Sequence, residues 1–150
     1  MIETAVDETI LKPVQIRSII HGYGEPLEAR LQVYDLEEIV AEKLRAILQH
    51  MEELHDRGWS RSRARDYYDL WRVLSAYQNQ LDLSGFSSFL HAKCTIRNVS
   101  FNGPNDSFEN TMLAYIEKAW EQWLDHLVPD LPDFSTVFGE LRPMITLLVS

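Results

Sequence analysis

The feature that most constrains the fold of this chain is a long amphipathic segment that begins at Asp35. Because its apolar residues recur every three or four positions, the segment predicts one helix with a single buried face, running from residue 36 to about residue 54. The stripe consists of Leu36, Val40, Ile47, Met51 and Leu54. Asp35 with Glu38 three positions into the helix forms a capping-box pattern at its start. A helix of this length with one apolar face has to pack against other elements.

The rest of the chain divides into an extended beginning and a helical remainder. Residues 14–20 and 29–34 alternate in part between apolar and polar side chains, with glycines and a proline between them, and predict two strands or edge segments. Further helices are predicted over about 65–76, 84–93, 106–127 and from 133 onward, and 98–106 is a loop. In the fourth helix we expect an aromatic stripe that includes Tyr115, Trp120 and Trp123 to be core.

These patterns predict a mainly α (α+β) fold: a bundle of four to five helices with a small β element at the N-terminus. With 150 residues and 45% hydrophobic side chains, the chain can bury one core. We therefore expect a single domain over 1–150, with an extended segment over 1–34 and a helical lobe over 35–150.

The charge and cysteine content narrow the class of protein. A formal net charge of -9 argues against non-specific binding to nucleic acid or to an anionic membrane, so any phosphate contact needs a local basic cluster. The single cysteine, Cys94, excludes an internal disulfide and suits the cytoplasm. The acidic N-terminus is unlike a secretory signal, and no apolar run reaches the length of a membrane span.

A lysine, Lys43, falls near the middle of the apolar stripe on the first helix. Burying an unpaired ammonium is costly, so a carboxylate or an anionic ligand is expected to meet it. Asp66 and Asp69 lie three positions apart on the next helix, and two helices joined by a short loop tend to pack antiparallel. Two interpretations remain open: an ion pair that only fixes the helix register, and a ligand site.

The loop between these two helices is rich in arginine. Residues 55–65 include Arg57, Arg61, Arg63 and Arg65. Guanidinium groups match phosphate oxygens, and Trp59 could stack on a base, so the loop could hold phosphates or RNA. The alternative is a solvated loop whose arginines pair with nearby acidic residues. The five histidines are too scattered to predict a zinc site.

The two helix segments resemble the AbiEii/AbiGii family of nucleotidyltransferase toxins. The resemblance is carried by YDLEEIVAEKLRAILQ at 34–49 and RDYYDLW at 65–71. It implies the C-terminal lobe of a polymerase-β-type nucleotidyltransferase, which moves a nucleotide from an NTP to RNA such as tRNA. It also implies a toxin–antitoxin or abortive-infection role with a cognate antitoxin.

The resemblance also implies roles for particular residues. Lys43, Asp66 and Asp69 would be catalytic: Lys43 would contact the phosphates of the NTP, and the two aspartates would order the site. Arg65, Arg61 and Arg63 would help to bind phosphate.

The sequence departs from the family where the metal should bind. Mg²⁺ and NTP are implied by the family, but no Asp-x-Asp pair and no preceding Gly-Ser turn occur in the chain. We therefore expect a truncated lobe that is inactive by itself. The alternative is a non-catalytic helical interaction or structural module, a degenerate fragment. Apolar surface left near residues 1–34 predicts self-association.

Overall fold

Five helices form the body of the molecule, and the computed structural model describes residues 9–18, 30–58 and 62–150. The helices are α1 (Leu36–Arg57), α2 (Ala64–Ala76), α3 (Phe86–Ile96), α4 (Asn110–Leu124) and α5 (Phe134–Val149). Short 3-10 turns at Gln78–Gln80 and Pro104–Phe108 precede α3 and α4. The predicted mainly helical fold is confirmed. No helix within the described residues is long and apolar enough to cross a membrane.

A two-stranded antiparallel ribbon forms the β element. Strand β1 (Gln15–Ser18) pairs with β2 (Arg30–Val33), so that Gln15 lies opposite Val33 and Ser18 lies opposite Arg30. Both strands fall inside the predicted spans, of which positions 19–20 and 29 lie outside the described residues. An isolated two-stranded ribbon is marginally stable in water. A side-chain bond from Gln15 Nε2 to Asp35 Oδ1 at 2.6 Å joins this ribbon to the start of α1.

The first turn of α1 differs from the expected capping box. The side chain of Asp35 makes no capping hydrogen bond, since its carboxylate accepts from Gln15 instead. Glu38 is fully buried and accepts the backbone N–H groups of Leu11 and Lys12, each at 3.2 Å. The capping-box prediction is wrong because tertiary partners take both carboxylates. The helix ends at Gly58, whose left-handed backbone (φ 71) lets its N–H reach the Leu54 carbonyl at 2.8 Å.

Helix α2 lies at the centre of the bundle and packs against α1, α4 and α5. Tyr67 on α2 is completely buried, and its hydroxyl donates to the Ser107 carbonyl, 40 residues along the chain. Burial of each large apolar side chain contributes roughly 1.5–3 kcal/mol. Trp120 is also buried, and its indole N–H donates to the Pro132 carbonyl at 2.9 Å. The core aromatic residues thus bury their rings while satisfying their polar atoms.

Helix α4 turns a different face inward from the one expected. It begins at Asn110, after an N-cap at Glu109, and its buried residues are Met112, Ile116, Trp120 and Leu124. Tyr115 and Trp123 lie off that four-residue spacing and are 40% and 55% exposed. The prediction that both belong to the core is therefore wrong, because the position on the helix decides burial more than the aromatic character does.

Helix α5 begins as predicted and contains an unusual interruption. Asp133 caps it by accepting the N–H of Thr136 at 3.2 Å. Pro143 lies within the helix and has no N–H to donate to the carbonyl four residues earlier, that of Gly139. Both residues are exposed, so neither contributes a side chain to the core. The inward face of the helix carries Val137, Leu141 and Ile145.

Candidate functional site

Lys43 lies between two aspartates at the contact of α1 and α2. Its Nζ is 2.8 Å from Asp69 Oδ2 and 3.2 Å from Asp66 Oδ1. The helices run antiparallel, because His50, later in α1, meets Arg63 just before α2 begins. The structure thus brings together the three residues that the helix spacing predicts to meet. Their catalytic role stays a prediction.

The surroundings of Lys43 keep it charged. Its side chain is 23% exposed, and those of Asp66 and Asp69 are 18% and 33% exposed. Burial by itself lowers the pKa of Lys43, but the carboxylates of Asp66 and Asp69 outweigh burial and hold the pKa above its usual value. An ammonium is therefore fixed at this position across the neutral pH range.

Arg63 extends the charged network along α1. Its Nη1 is 2.9 Å from Asp66 Oδ2, so Asp66 binds Lys43 with one oxygen and Arg63 with the other. Arg63 Nη2 lies 2.8 and 2.9 Å from the two ring nitrogens of His50. Burial of His50, followed by the nearby Arg63 charge, lowers the pKa of this histidine. The Nε of Arg63 is buried and has no hydrogen-bond partner within the described residues.

Of the other two arginines that are predicted to bind phosphate, one lies at the edge of the lysine–aspartate cluster and one lies outside the described residues. Arg65 is 62% exposed, and its Nε is 3.9 Å from Asp69 Oδ2, at the edge of the lysine–aspartate cluster. Arg61 lies outside the described residues, as does Trp59. Phosphate binding by Arg61, Arg63 and Arg65 stays a prediction.

A groove of about 650 Å³ opens beside Lys43. Its walls combine two cationic side chains with aromatic and aliphatic ones: Lys43, Arg72, Tyr68, Asp69, Ile39, Val73, Leu127, Val128 and Pro129. Arg72 is exposed on this groove. The groove is open to solvent, and its lining combines apolar side chains with positive and negative ones.

Sequence reasoning missed part of this lining. Arg72 follows Asp69 by three positions and Tyr68 by four, so helical spacing could have placed all three on one face of α2. Leu127, Val128 and Pro129 come from beyond the end of α4. No local pattern indicates that this later segment returns to α2.

The carboxylates beside Lys43 do not suit a magnesium ion as they are arranged. Mg²⁺ needs anionic oxygens free to coordinate it. Both oxygens of Asp66 and one of Asp69 are engaged by Lys43 and Arg63. Throughout the part of the chain that the structure describes, no group of three or more His, Cys, Asp or Glu side chains could hold a metal.

A second charged cluster, which the sequence pattern did not indicate, is buried between α1 and α3. Lys93 Nζ lies 2.6 Å from Glu38 Oε1 and 3.3 Å from Glu42 Oε2, and Lys93 and Glu38 have side chains 3% and 0% exposed. Burial by itself raises the pKa of Glu42, but Arg45 and Lys93 outweigh burial and lower it. With the two N–H bonds that Glu38 accepts, this cluster attaches residues 11–12 and α3 to α1.

The fold and site together define a helical protein in which a lysine held by two aspartates borders a groove with a mixed apolar and charged lining. The chain matches the family described as nucleotidyl transferase AbiEii toxin, type IV TA system, over residues 1–140. It therefore belongs to the AbiEii nucleotidyltransferase toxin family, and the resemblance found in the sequence is confirmed. Comparison with curated proteins and with solved structures gave no match.

Proposed function

We propose that this chain is the C-terminal lobe of an AbiEii-type nucleotidyltransferase and binds the NTP that is transferred to an RNA acceptor such as tRNA. The observation that carries the proposal is the charged Lys43, held by Asp66 and Asp69 at the border of the groove. Arg72 lines the same groove. Lys43 and Arg72 line this partly apolar groove together with Asp69, and this mixed lining supports a ligand with a phosphate chain and a base.

Each part of the site has a distinct task in this proposal. Lys43 and Arg72 contact the phosphates, and the apolar wall formed by Val73 and Leu127 takes the base. Asp66 and Asp69 position the Lys43 ammonium. The described residues hold no group that could bind the divalent metal, and in this proposal its carboxylates come from elsewhere, so that the lobe binds NTP and needs them to transfer a nucleotide.

The runner-up function is a non-catalytic helical interaction or structural module. It is favoured by the hydrogen bonds of Asp66, because one of its carboxylate oxygens already accepts from Lys43 and the other from Arg63. In that case Lys43 fixes the register of α1 against α2 and contacts no ligand. The two functions differ in whether Lys43 and Arg72 are needed for NTP binding.

The proposal extends to the setting of the protein. The family is that of a type IV toxin–antitoxin system, which supports a cognate antitoxin as partner. A toxin that acts on RNA inside the producing cell would work in the cytoplasm, and the one buried thiol, Cys94, is consistent with a reducing compartment.

Calorimetric titration of NTP with Mg²⁺ into the chain tests the proposed function. We expect Lys43→Gln and Arg72→Ala each to weaken binding by about tenfold to a hundredfold, the usual effect of losing a hydrogen bond to a charged group. Arg17→Ala is the matched control, because Arg17 lies on β1 and bonds to Gln15. Glutamine at position 43 still donates a hydrogen bond to an aspartate, which limits the loss of stability.

The alternative module predicts a different result. If folded wild-type chain takes up no NTP, or if both groove variants bind as tightly as Arg17→Ala, the nucleotide-binding role is wrong. Thermal unfolding of each variant, measured in parallel, identifies any loss of binding that comes only from unfolding.

A further inference from the structure

The two aspartates that hold Lys43 differ in their surroundings. Asp69 forms part of the groove wall together with Lys43, and its side chain is 33% exposed. Asp66 is 18% exposed and also accepts from Arg63, so that its two oxygens bind two different cations. The shorter contact of Lys43 is the one to Asp69, at 2.8 Å against 3.2 Å for Asp66. The more exposed carboxylate is therefore the closer partner of the lysine.

Asp69 places a negative charge in the groove that we propose for the phosphates. A phosphate oxygen that approaches the Lys43 ammonium from the groove meets the carboxylate that is already bonded to it. Two anions beside one ammonium repel each other and share its charge-assisted hydrogen bonds. A phosphate in the groove therefore competes with Asp69 for Lys43.

The neighbours of Asp69 allow it to leave Lys43. Arg65 is 62% exposed, and its Nε lies 3.9 Å from the Asp69 oxygen that binds Lys43. The two residues are four positions apart on α2, so a carboxylate displaced from the lysine stays within reach of this guanidinium. Asp66 is held between Lys43 and Arg63, and it keeps the ammonium in place when Asp69 moves.

We propose that Asp69 is a displaceable partner of Lys43, which holds the ammonium while the groove is empty and gives it up to the phosphates of the ligand. This inference rests on the proposed nucleotide-binding function. A terminal phosphate carries about two negative charges and three acceptor oxygens, so it binds the ammonium more strongly than the carboxylate that it replaces. A phosphodiester carries a single charge, as Asp69 does, and gains little by the exchange. Asp69 thus lowers the affinity of the groove for anions and selects a polyphosphate.

Calorimetric titration of ATP into the full chain, with Mg²⁺ and again with EDTA, tests the proposal. We expect Asp69→Asn to bind ATP about three- to tenfold more tightly than the wild type, because one negative charge beside the phosphates is removed. Asp69→Ser removes the same charge and should show the same gain. A residue that only fixed the helix register would lose affinity on substitution or leave it unchanged.

Asp56→Asn is the matched control for the change in net charge. Asp56 is exposed on α1, thirteen positions beyond Lys43 and thus roughly 20 Å along the helix axis, where salt screens its charge. We expect this variant to bind ATP as the wild type does. In the Lys43→Gln background, Asp69→Asn should raise the affinity by less than about twofold, because the contact from which Asp69 is displaced is already lost.

Cyclic AMP tests the selection of a polyphosphate in the wild-type chain, without any variant. It has the base and sugar of ATP but a singly charged phosphodiester, and it should bind more weakly than ATP by about tenfold or more. Cyclic AMP that binds as tightly as ATP would overturn the proposal.

The remaining outcomes separate this inference from the function on which it rests. If the wild type binds ATP but a folded Asp69→Asn variant binds it no more tightly, the displacement of Asp69 is wrong and the nucleotide-binding function is not affected. Binding by Asp69→Asn that is weakened only with Mg²⁺ would make Asp69 a metal ligand and overturn the proposal as well. If neither the wild type nor Asp69→Asn binds ATP, the proposed function and this inference are both wrong.

Discussion

Asp66 is the residue on which the charges of the site converge. One of its oxygens accepts from Lys43 and the other from Arg63, and Arg63 in turn contacts His50. This network is more stable while His50 is neutral, because a protonated imidazole would place a second positive charge against the Arg63 guanidinium. Among these four side chains, His50 is thus the one whose charge the folded state opposes within the physiological range of pH.

This opposition predicts a pH-dependent stability. The pKa of His50 is lowered from 6.5 by burial and by Arg63, against the opposing effects of Glu53, the Ala46 backbone and Asp66. The unfolded chain therefore binds the proton more tightly than the folded chain does. Protonation of His50 therefore has little effect on the free energy of unfolding above pH 6.5. Below pH 6.5 it lowers the free energy of unfolding, by at most about 1.4 kcal/mol per pH unit.

Urea unfolding of wild type and His50→Gln at about pH 7 and about pH 5.5 measures the effect. We expect the free energy of unfolding to fall more over this interval in the wild type than in the variant. Carboxylates of lowered pKa, such as Glu42 and Glu109, titrate at lower pH and are common to both proteins. Identical pH profiles for the two proteins would contradict the prediction.

At the scale of the elements, the sequence predicts what is local. The apolar spacing of α1, the short connection to α2 and the three-residue spacing of Asp66 and Asp69 are enough to bring Lys43 to its partners. Lys93 was not foreseen as the partner of Glu38, because the two are brought together only by the packing of α3 on α1. The inward face of α4 and the return of Leu127 to the groove depend on packing in the same way.

The buried pair of Glu38 and Lys93 should contribute strongly to the attachment of α3. Lys93→Met would leave the fully buried Glu38 without its closest cation, and we expect unfolding free energy to fall by about 3–5 kcal/mol. Adding Glu38→Gln should recover part of this loss, because a neutral side-chain oxygen can still accept from Leu11 and Lys12.

A double-mutant cycle by urea unfolding measures this coupling. Lys118→Met, at an exposed lysine of α4, is the control and should change stability by less than about 0.5 kcal/mol. If Lys93→Met lowers the free energy of unfolding by the same amount in the wild type and in Glu38→Gln, the two charges are independent.

At the scale of the whole molecule, several large apolar side chains are exposed. Three of them lie in the N-terminal segment, where Ile10, Leu11 and Ile16 are 39%, 40% and 65% exposed. The described part of the N-terminal segment is attached to the helices by hydrogen bonds to Glu38 and Asp35, by the ion pair of Lys12 with Glu37 and by the contact of Lys12 with the Phe89 ring. A short ribbon with exposed apolar residues gains stability by packing against a further surface.

We therefore expect the chain to self-associate through its N-terminal segment, with Ile16 at the contact. Sedimentation velocity over a range of concentrations should show association in the wild type and weaker association in Ile16→Ser. Leu147→Ser is the control, since Leu147 is 82% exposed but lies on α5. A wild-type chain that stays monomeric at every concentration would rule out this contact.

The interruption in α5 bears on the order in which the molecule folds. Glycine and proline cost a helix about 1 and 3 kcal/mol relative to alanine, and α5 has Gly139 and Pro143 within the same 16 residues. A helix with that composition does not persist in isolation, so its nucleation depends on a surface already formed by α2 and α3, against which it packs. We therefore expect helix α5 to form late, after the assembly of α1 with α2, which hold the lysine and its two aspartates.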